Sequence, residues 1–313
     1  MQHPIVTLTA NPALDLSASV EVMRPFSKLR CSGERRDPGG GGINVARIAA
    51  RFGAKPLAVF PVGGPIGAYL AELVAAEGIE SAVVPIADNT REDVTINETV
   101  SGRQFRFVLC GPSTSHEEEE RLLGAFGEQL SQGALAVASG SLAPGMGDDF
   151  YARAARLAKA KGARLVLDSS GPALAHALDA GVMLIKPNLR ELQGIAGMPL
   201  PDRATRLAAA RSLVDAGRTE FVALSLAEEG ALLVGRGIAL AASAPRIVPV
   251  STVGAGDSFL GALVAMLAKQ NDPALAFRMA VAAGSAAMLA PGTALCAVEK
   301  ARELFEQVSI EEL

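Results

Sequence analysis

The sequence predicts an α/β protein with a mostly parallel, doubly wound sheet, and three observations predict it. Short apolar runs alternate with runs of helical period along most of the chain. Polar residues gather just past the ends of those apolar runs, at Asp15, Ser141, Asp168, Lys186, Asn188, Ser225 and Asp257, as along the carboxyl edge of an open parallel sheet. Half of the 313 residues are hydrophobic, Trp is absent and aromatics make up 4%, so the core is to be built from Ala, Leu, Val and Ile. No internal repeat and no low-complexity linker divides the chain, so a single domain over 1–313 is expected.

The bulk properties exclude several classes. A net charge of −4 leaves no basic footprint for nucleic acid or an anionic membrane. The three cysteines, Cys31, Cys110 and Cys296, are far apart and lack CxxC spacing, which argues against a disulfide framework or a structural zinc site. Residues 1–10 do not read as a signal peptide, and no apolar run reaches the length of a membrane span. A soluble cytoplasmic protein is the expectation.

Residues 5–9 read as a strand closed by Asn11-Pro12. Asp15 follows, either as a turn residue or as an acceptor for a sugar hydroxyl. Residues 16–36 alternate with interleaved charge (Lys28, Arg30, Arg35, Arg36), which suits a half-exposed sheet better than a buried parallel one. Pro38-Gly39-Gly40-Gly41-Gly42-Ile43-Asn44-Val45-Ala46-Arg47 runs from four glycines straight into an amphipathic helix, which favours a backbone cradle for a ligand over a flexible linker. Strands at 57–62 and 81–86 flank a helix at 66–77 ended by Gly78. Segments 94–100 and 104–110 around Ser101-Gly102 look like a β-hairpin, and with 16–36 they break the strand–helix rhythm. The two excursions, 16–36 and 91–110, are therefore expected to form one small sheet.

Ser115 and Glu118 form a capping-box pattern for a helix at 117–130, so Glu117–Glu120 reads as a solvated first turn; His116-Glu117 does not extend to a zinc HExxH motif. Strands are expected at 134–138, 164–167, 182–185 and 221–224, with helices at 148–161, after Lys186-Pro187-Asn188, and at 204–216. Residues 246–250 read as a short apolar strand leading into Ser251-Thr252-Val253-Gly254-Ala255-Gly256-Asp257-Ser258-Phe259. Helices are then expected near 257–268, 273–289 and 298–307.

That last stretch places a glycine turn directly against a helix N-terminus, where free N–H groups and the helix dipole favour an anion. Asp257 is the odd member, since a carboxylate repels a bound phosphate. It serves either as a helix cap or as the base that takes a proton from a hydroxyl attacking a held phosphoryl group. No Gly-Lys-Ser/Thr follows the glycines, so this is not a Walker A loop. No Gly-x-Gly-x-x-Gly follows the first strand, so a nicotinamide-dinucleotide fold is disfavoured.

With these residues in place the chain resembles the PfkB (ribokinase-like) family of sugar kinases from Thr7 to about Cys296. The likeness rests on 38–47 and on Thr252-Val-Gly-Ala-Gly-Asp-Ser258, supported by Lys28-Leu29-Arg30-Cys31, Ser139-Gly140-Ser141-Leu142, Asp168-Ser169-Ser170-Gly171 and Lys186-Pro187-Asn188-x-x-Glu191. Gly41, where 1-phosphofructokinases and tagatose-6-phosphate kinases usually carry Lys, makes it most similar to the minor-type ATP-dependent 6-phosphofructokinases. The resemblance implies an α/β/α sandwich with a small β-sheet lid, ATP and Mg²⁺, fructose 6-phosphate as acceptor at O1, and a homodimer paired through the lids. A sugar-phosphate-binding regulator without catalysis is the rival class, against which Asp257, Gly256, Asn188 and Glu191 speak.

Residue by residue, the resemblance makes Asp257 the base and Gly254, Ala255 and Gly256 the anion hole. It assigns Asp15, Gly40 and Asn44 to the sugar hydroxyls. Arg91, Ser141 and Lys28 go to the 6-phosphate, although Arg91 and Lys28 on their own read as solvated edge-strand charges. Lys186 and Asn188 serve the ATP phosphates and Glu191 the Mg²⁺, while Ser225, Gly230 and Thr252 line the nucleotide. Three departures from the family stand out. Ala227 follows Ser225-Leu226 where relatives often have Gly, and Asp93 stands where Asn is common. Ala290-Pro291-Gly292-Thr293-Ala294 replaces Asn-x-Gly-Thr-Arg, in a region that helps form a monovalent-cation site in relatives, so K⁺ is the further candidate cofactor.

Overall fold

A computed structural model describes residues 3–270, 272–290 and 292–313; Pro291, in the stretch considered for K⁺, lies outside the described residues. The chain opens with β1 (Ile5–Leu8), then leaves the main sheet for β2 (Ala13–Val20) and β3 (Ser32–Gly39). It returns through α1 (Gly41–Arg51), β4 (Pro56–Val62), α2 (Gly64–Ala76) and β5 (Glu80–Pro85). A second excursion, β6 (Arg91–Glu98) and β7 (Gln104–Phe107), completes the small sheet in the order β3-β2-β6-β7. In it β2 pairs parallel with β6, and the two flanking pairs are antiparallel.

Strand–helix alternation then fills the middle of the chain: α3 (His116–Gln129), β8 (Leu135–Ser139), α4 (Phe150–Ala160), β9 (Arg164–Asp168), α5 (Gly171–Ala180), β10 (Val182–Ile185), α6 (Leu189–Ala196), α7 (Arg203–Asp215) and β11 (Thr219–Ser225). The chain ends with β12 (Ala231–Gly235), β13 (Ile238–Ala242), α8 (Ala255–Gln270), α9 (Pro273–Ala287), α10 (Val298–Phe305) and β14 (Ile310–Glu312). The large sheet has ten strands in the order β14-β13-β12-β11-β10-β9-β8-β1-β4-β5. From β5 to β11 the pairs are parallel, and β12, β13 and β14 add antiparallel edges.

Period-2 alternation along the buried strands divides the core between two faces. Val6, Leu8, Ala136 and Leu165 pack with Leu122, Phe126, Tyr151, Leu174, Leu192 and Leu213 of α3 to α7. Ile5, Leu135, Val137 and Leu184 pack with Val45, Leu260, Leu263, Phe277 and Ala301 of α1, α8, α9 and α10. Alanine is frequent at these helix contacts, which lets α8 and α9 pack closely on a core poor in aromatics. Among the described residues no helix is long and apolar enough to cross a membrane.

Two local expectations fail. Residues 246–250 are not a strand but exposed irregular chain, with Val248 84% accessible. Pro245 and Pro249 remove backbone donors from that stretch, so apolar composition alone cannot bring it into a ladder. The strand pair nearest in sequence is instead the hairpin β12–β13, which the sequence reading left unassigned. The Glu117–Glu120 run is only half solvated. Glu118 closes the capping box on Ser115 and accepts from Ala87 N at 2.7 Å, and buried Glu119 pairs with Arg153 and accepts from Gly147 N at 3.0 Å.

Candidate active site

The strand order reverses at β1. The chain winds outward through β4 and β5, then crosses back to place β8 on the other side of β1. Such a reversal opens a crevice at the carboxyl ends of the strands. The N-terminus of α1 sits in it, which only glycine permits: a Cβ on Gly42 would lie 2.6 Å from the Leu8 carbonyl oxygen, and one on Gly41 would run into the Ser139 side chain.

Two cavities meet there. One, of about 400 Å³, is lined by Asp15, Gly40, Asn44, Arg91, Ser141 and Asp257, together with Asp93, Arg106, Asp168 and Glu191. The other, of about 530 Å³, is lined by Lys186, Asn188, Ser225, Gly230, Ala255 and Phe259. Thr252 and Gly256 border both, so the glycine turn forms the wall between them. A third cavity of about 530 Å³ lies at the opposite, amino-terminal edge of the strands, around Lys159, Arg164 and Glu220, and shares no residue with these two.

The turn is built as a helix start. Gly254 has φ +73°, and its carbonyl accepts the first helical bond, from Ser258 N at 2.8 Å. The amides of Ala255, Gly256 and Asp257 therefore occupy the first turn of α8, where N–H groups have no intrahelical acceptor. Asp257 sits inside the helix rather than ahead of it, which removes the simple cap reading. Its Oδ2 accepts from Asn44 Nδ2 at 2.8 Å. Burial pushes its carboxyl up from the ordinary carboxylate range, against the lowering effect of that hydrogen bond and of Lys186 and Arg106. A buried carboxyl tuned upward, in the first turn of a helix and lining the smaller cavity, suits proton abstraction from a hydroxyl.

At the larger cavity Lys186 is buried and donates across 3.2 Å to Asp168. Asn188 and Glu191 form a second capping box: Asn188 Oδ1 accepts from Glu191 N at 2.9 Å and Glu191 Oε2 accepts from Asn188 N at 2.8 Å. This lock orients Glu191 toward the smaller cavity, and burial raises its carboxyl above the ordinary range. Gly230 stands at the rim of β12, beside the turn Ala227–Glu229. Ala227 has φ +52°, a conformation that costs an L-residue roughly 1–2 kcal/mol. Ala227→Gly is predicted to raise stability by about 0.5–1 kcal/mol, after allowing for glycine's extra chain entropy, and calorimetry is the check. An unchanged or lowered Tm would show that the turn is unstrained.

At the smaller cavity, Arg91 is not a solvated edge-strand charge. Its side chain is 10% exposed and donates to Asp93 at 3.3 Å, Leu109 O at 2.7 Å and Asn11 O at 3.0 Å, while its Nε has no partner among the described residues. Asp15 is buried at the cavity wall and accepts no hydrogen bond among the described residues; its carboxyl is pushed up to about 7, first by burial and then by Asp93. Lys28 is the residue the structure leaves out: it is exposed on the loop between β2 and β3 and lines neither cavity. Arg106 is the residue the sequence reading missed. Hairpin alternation was the available signal, because β7 pairs Arg106 with Thr95, two residues from Asp93 on the same face of β6.

The sequence profile of the pfkB family carbohydrate kinases matches residues 10–301. The chain is 43% identical over 302 residues to the ATP-dependent 6-phosphofructokinase isozyme 2 of Mycobacterium tuberculosis, covering 96% of this chain and 89% of that one. It is 37% identical over 310 residues to the Escherichia coli protein of the same name, covering 97% and 99%. The crystal structure of Escherichia coli phosphofructokinase-2 in complex with potassium superposes with a TM-score of 0.94, covering 98% and 99% of the two chains. At 33% identity over 282 residues, 90% of this chain and 91% of the other, it is also similar to the 1-phosphofructokinase of Bacillus subtilis.

Proposed function

The chain belongs to the pfkB family of carbohydrate kinases and is an ATP-dependent sugar kinase, and we propose that its acceptor is fructose 6-phosphate, phosphorylated at O1 to fructose 1,6-bisphosphate. The single observation that supports the reaction type is Asp257, which lines the smaller cavity from the first turn of α8, next to Gly256, a residue that borders both cavities. The acceptor rests on the names of the most similar relatives and on two arginines, Arg91 and Arg106, at the sugar-side cavity, which suit a dianionic phosphate.

In this reading Asn44 holds Asp257 Oδ2, which leaves Oδ1 to take the proton of the C1 hydroxyl. The freed oxygen forms a bond to the γ-phosphorus as the bond to the β–γ bridging oxygen breaks and ADP departs. First-turn amides of α8 stabilise the charge on the transferring group. Asp15, Gly40 and Asn44 position the sugar ring. Lys186 and Asn188 serve the ATP phosphates, and Ser225, Gly230 and Thr252 line the nucleotide. Glu191 offers the hard oxygen donor that Mg²⁺ prefers, and the ion, when bound with ATP, would neutralise phosphate charge. K⁺ enters the reading through the Escherichia coli relative alone, since Ala290 and Ala294 bring no side-chain oxygen and Thr293 donates to Asp37 at 2.7 Å.

The small sheet would close over the sugar as a lid, excluding water that would otherwise hydrolyse ATP. Its edge exposes Val100, Phe107, Val108 and Leu109, each about half or more accessible, and a homodimer through this sheet would cover them. Lys28 could reach a sugar site from such a second copy. The deciding assay compares kcat/KM for fructose 6-phosphate, fructose 1-phosphate and tagatose 6-phosphate with Mg·ATP. We predict at least a tenfold preference for fructose 6-phosphate; a preference for either competitor discards the acceptor and keeps the kinase.

A further inference from the structure

Asp15 and Asp93 are direct cross-strand neighbours in the β2–β6 pair, and both are buried, at 6% and 3% exposure. Directly paired residues of adjacent strands project to the same face, about 5 Å apart. The two differ in their partners. Asp93 Oδ1 accepts from Leu109 N at 3.0 Å and from Arg91 at 3.3 Å, whereas Asp15 accepts from no described residue. The groups facing Asp15 are Asp93 and Arg91 of β6, Arg106 of β7, Asp257 of α8, and Asp37, its neighbour on β3. Asp37 is already paired with Arg35, and the two terminal nitrogens of Arg91 donate to Asp93 and two backbone carbonyls, none of them to Asp15. Two buried carboxylates side by side, with a single donor set given to one of them, favour retention of a proton by the other.

We propose that Asp93 is a positioning residue for sugar binding that acts through Asp15: in the empty site the pair retains one proton on Asp15, and a sugar whose hydroxyls hydrogen-bond to Asp15 displaces that proton to solvent. This rests on the kinase reading above, in which Asp15 receives the sugar hydroxyls. No bond other than O–H is made or broken. The proton leaves the Asp15 carboxyl for the buffer, and the carboxylate left behind accepts the hydroxyl hydrogens. The consequence has a definite sign. Sugar affinity falls as pH drops through neutrality, approaching tenfold per pH unit, because more of the site must first be deprotonated.

Asp93→Asn tests it, since an amide oxygen can keep both bonds that Oδ1 accepts while the charge is removed. Calorimetric binding of fructose 6-phosphate to the full chain, in buffers of different ionisation enthalpy at pH 7, reads the protons released per sugar. The wild type is expected to release about half a proton more than Asp93→Asn; the contribution of the sugar's own phosphate is common to both. The acid limb of 1/KM should move down by about one pH unit in the variant. Equal proton release, or an unmoved limb, overturns the proposal. A ligand-free measurement separates it from the kinase reading: ¹³C-carboxyl NMR titration, with the Asp15 signal identified by its loss in Asp15→Asn. An Asp15 inflection in the ordinary carboxylate range overturns the retained proton whatever the substrate is. Absence of binding by every sugar phosphate sinks the kinase reading and the displacement step with it.

Discussion

Asp257→Asn is expected to lower kcat by about 10³–10⁴-fold while leaving the Kd values for ATP and the sugar within roughly threefold. The substitution is nearly isosteric, and the amide oxygen it introduces can still accept from Asn44, as Asp257 Oδ2 does at 2.8 Å. The first turn of α8, with its amides, is untouched, so the anion-stabilising part of the site survives. What disappears is the carboxylate proposed to take the proton, so in that reading transition-state charge has to build without it. Rapid-quench kinetics, with separate equilibrium binding of each substrate, separates chemistry from affinity. Retention of more than a tenth of the wild-type kcat would sink the base assignment. The wild-type pH profile follows from the same site: burial holds the Asp257 carboxyl above the ordinary carboxylate range, so the acid limb of kcat should lie above that range too.

Asp15→Asn is expected to push function and stability in opposite directions at pH 8. A hydrogen bond to a charged acceptor contributes about 1.5–3 kcal/mol, so KM for the sugar should rise roughly 10- to 100-fold at that pH. Stability moves the other way. The Asp15 carboxyl is pushed up to about 7 in the folded protein from 3.8. A carboxyl raised by folding supports the native state most below its unfolded value and loses that support as pH climbs through the folded value. The wild type should therefore be relatively weakened above pH 7, where this charge must sit buried. The Asn variant escapes that penalty, with a gain on the order of 4 kcal/mol at pH 8 and well under about 1 kcal/mol at pH 4. Urea denaturation of both proteins at the two pH values is the check. An equal difference at both would mean that the Asp15 charge is solvated in the folded chain.

Much of the fold was legible because it is written locally. Helical periodicity, apolar strands and glycine at helix starts act over a few residues, so the alternation from β8 to β11, the hairpin β6–β7 and the capping box at Ser115 and Glu118 could be read without tertiary knowledge. The turn carrying Asp257 was legible for the same reason. Local signals also misled: residues 246–250 have strand composition, but two prolines and exposure keep them out of the sheet.

What the linear chain left open were relations between residues far apart in it. Asn44 and Asp257 are 213 positions apart and share a hydrogen bond, because α1 and α8 pack on the same face of the sheet. Asp15 and Asp93 became neighbours through the register of a parallel strand pair, and Arg106 reached the cavity through the hairpin beside it. Residue types and their local spacing carry the chemistry that could be read from the chain: a carboxylate at a helix start, glycine cradles and an arginine on the small sheet. The folded chain sets which carboxylate receives hydrogen-bond donors and which is left without one, because strand register and burial, not residue identity, set the surroundings of each.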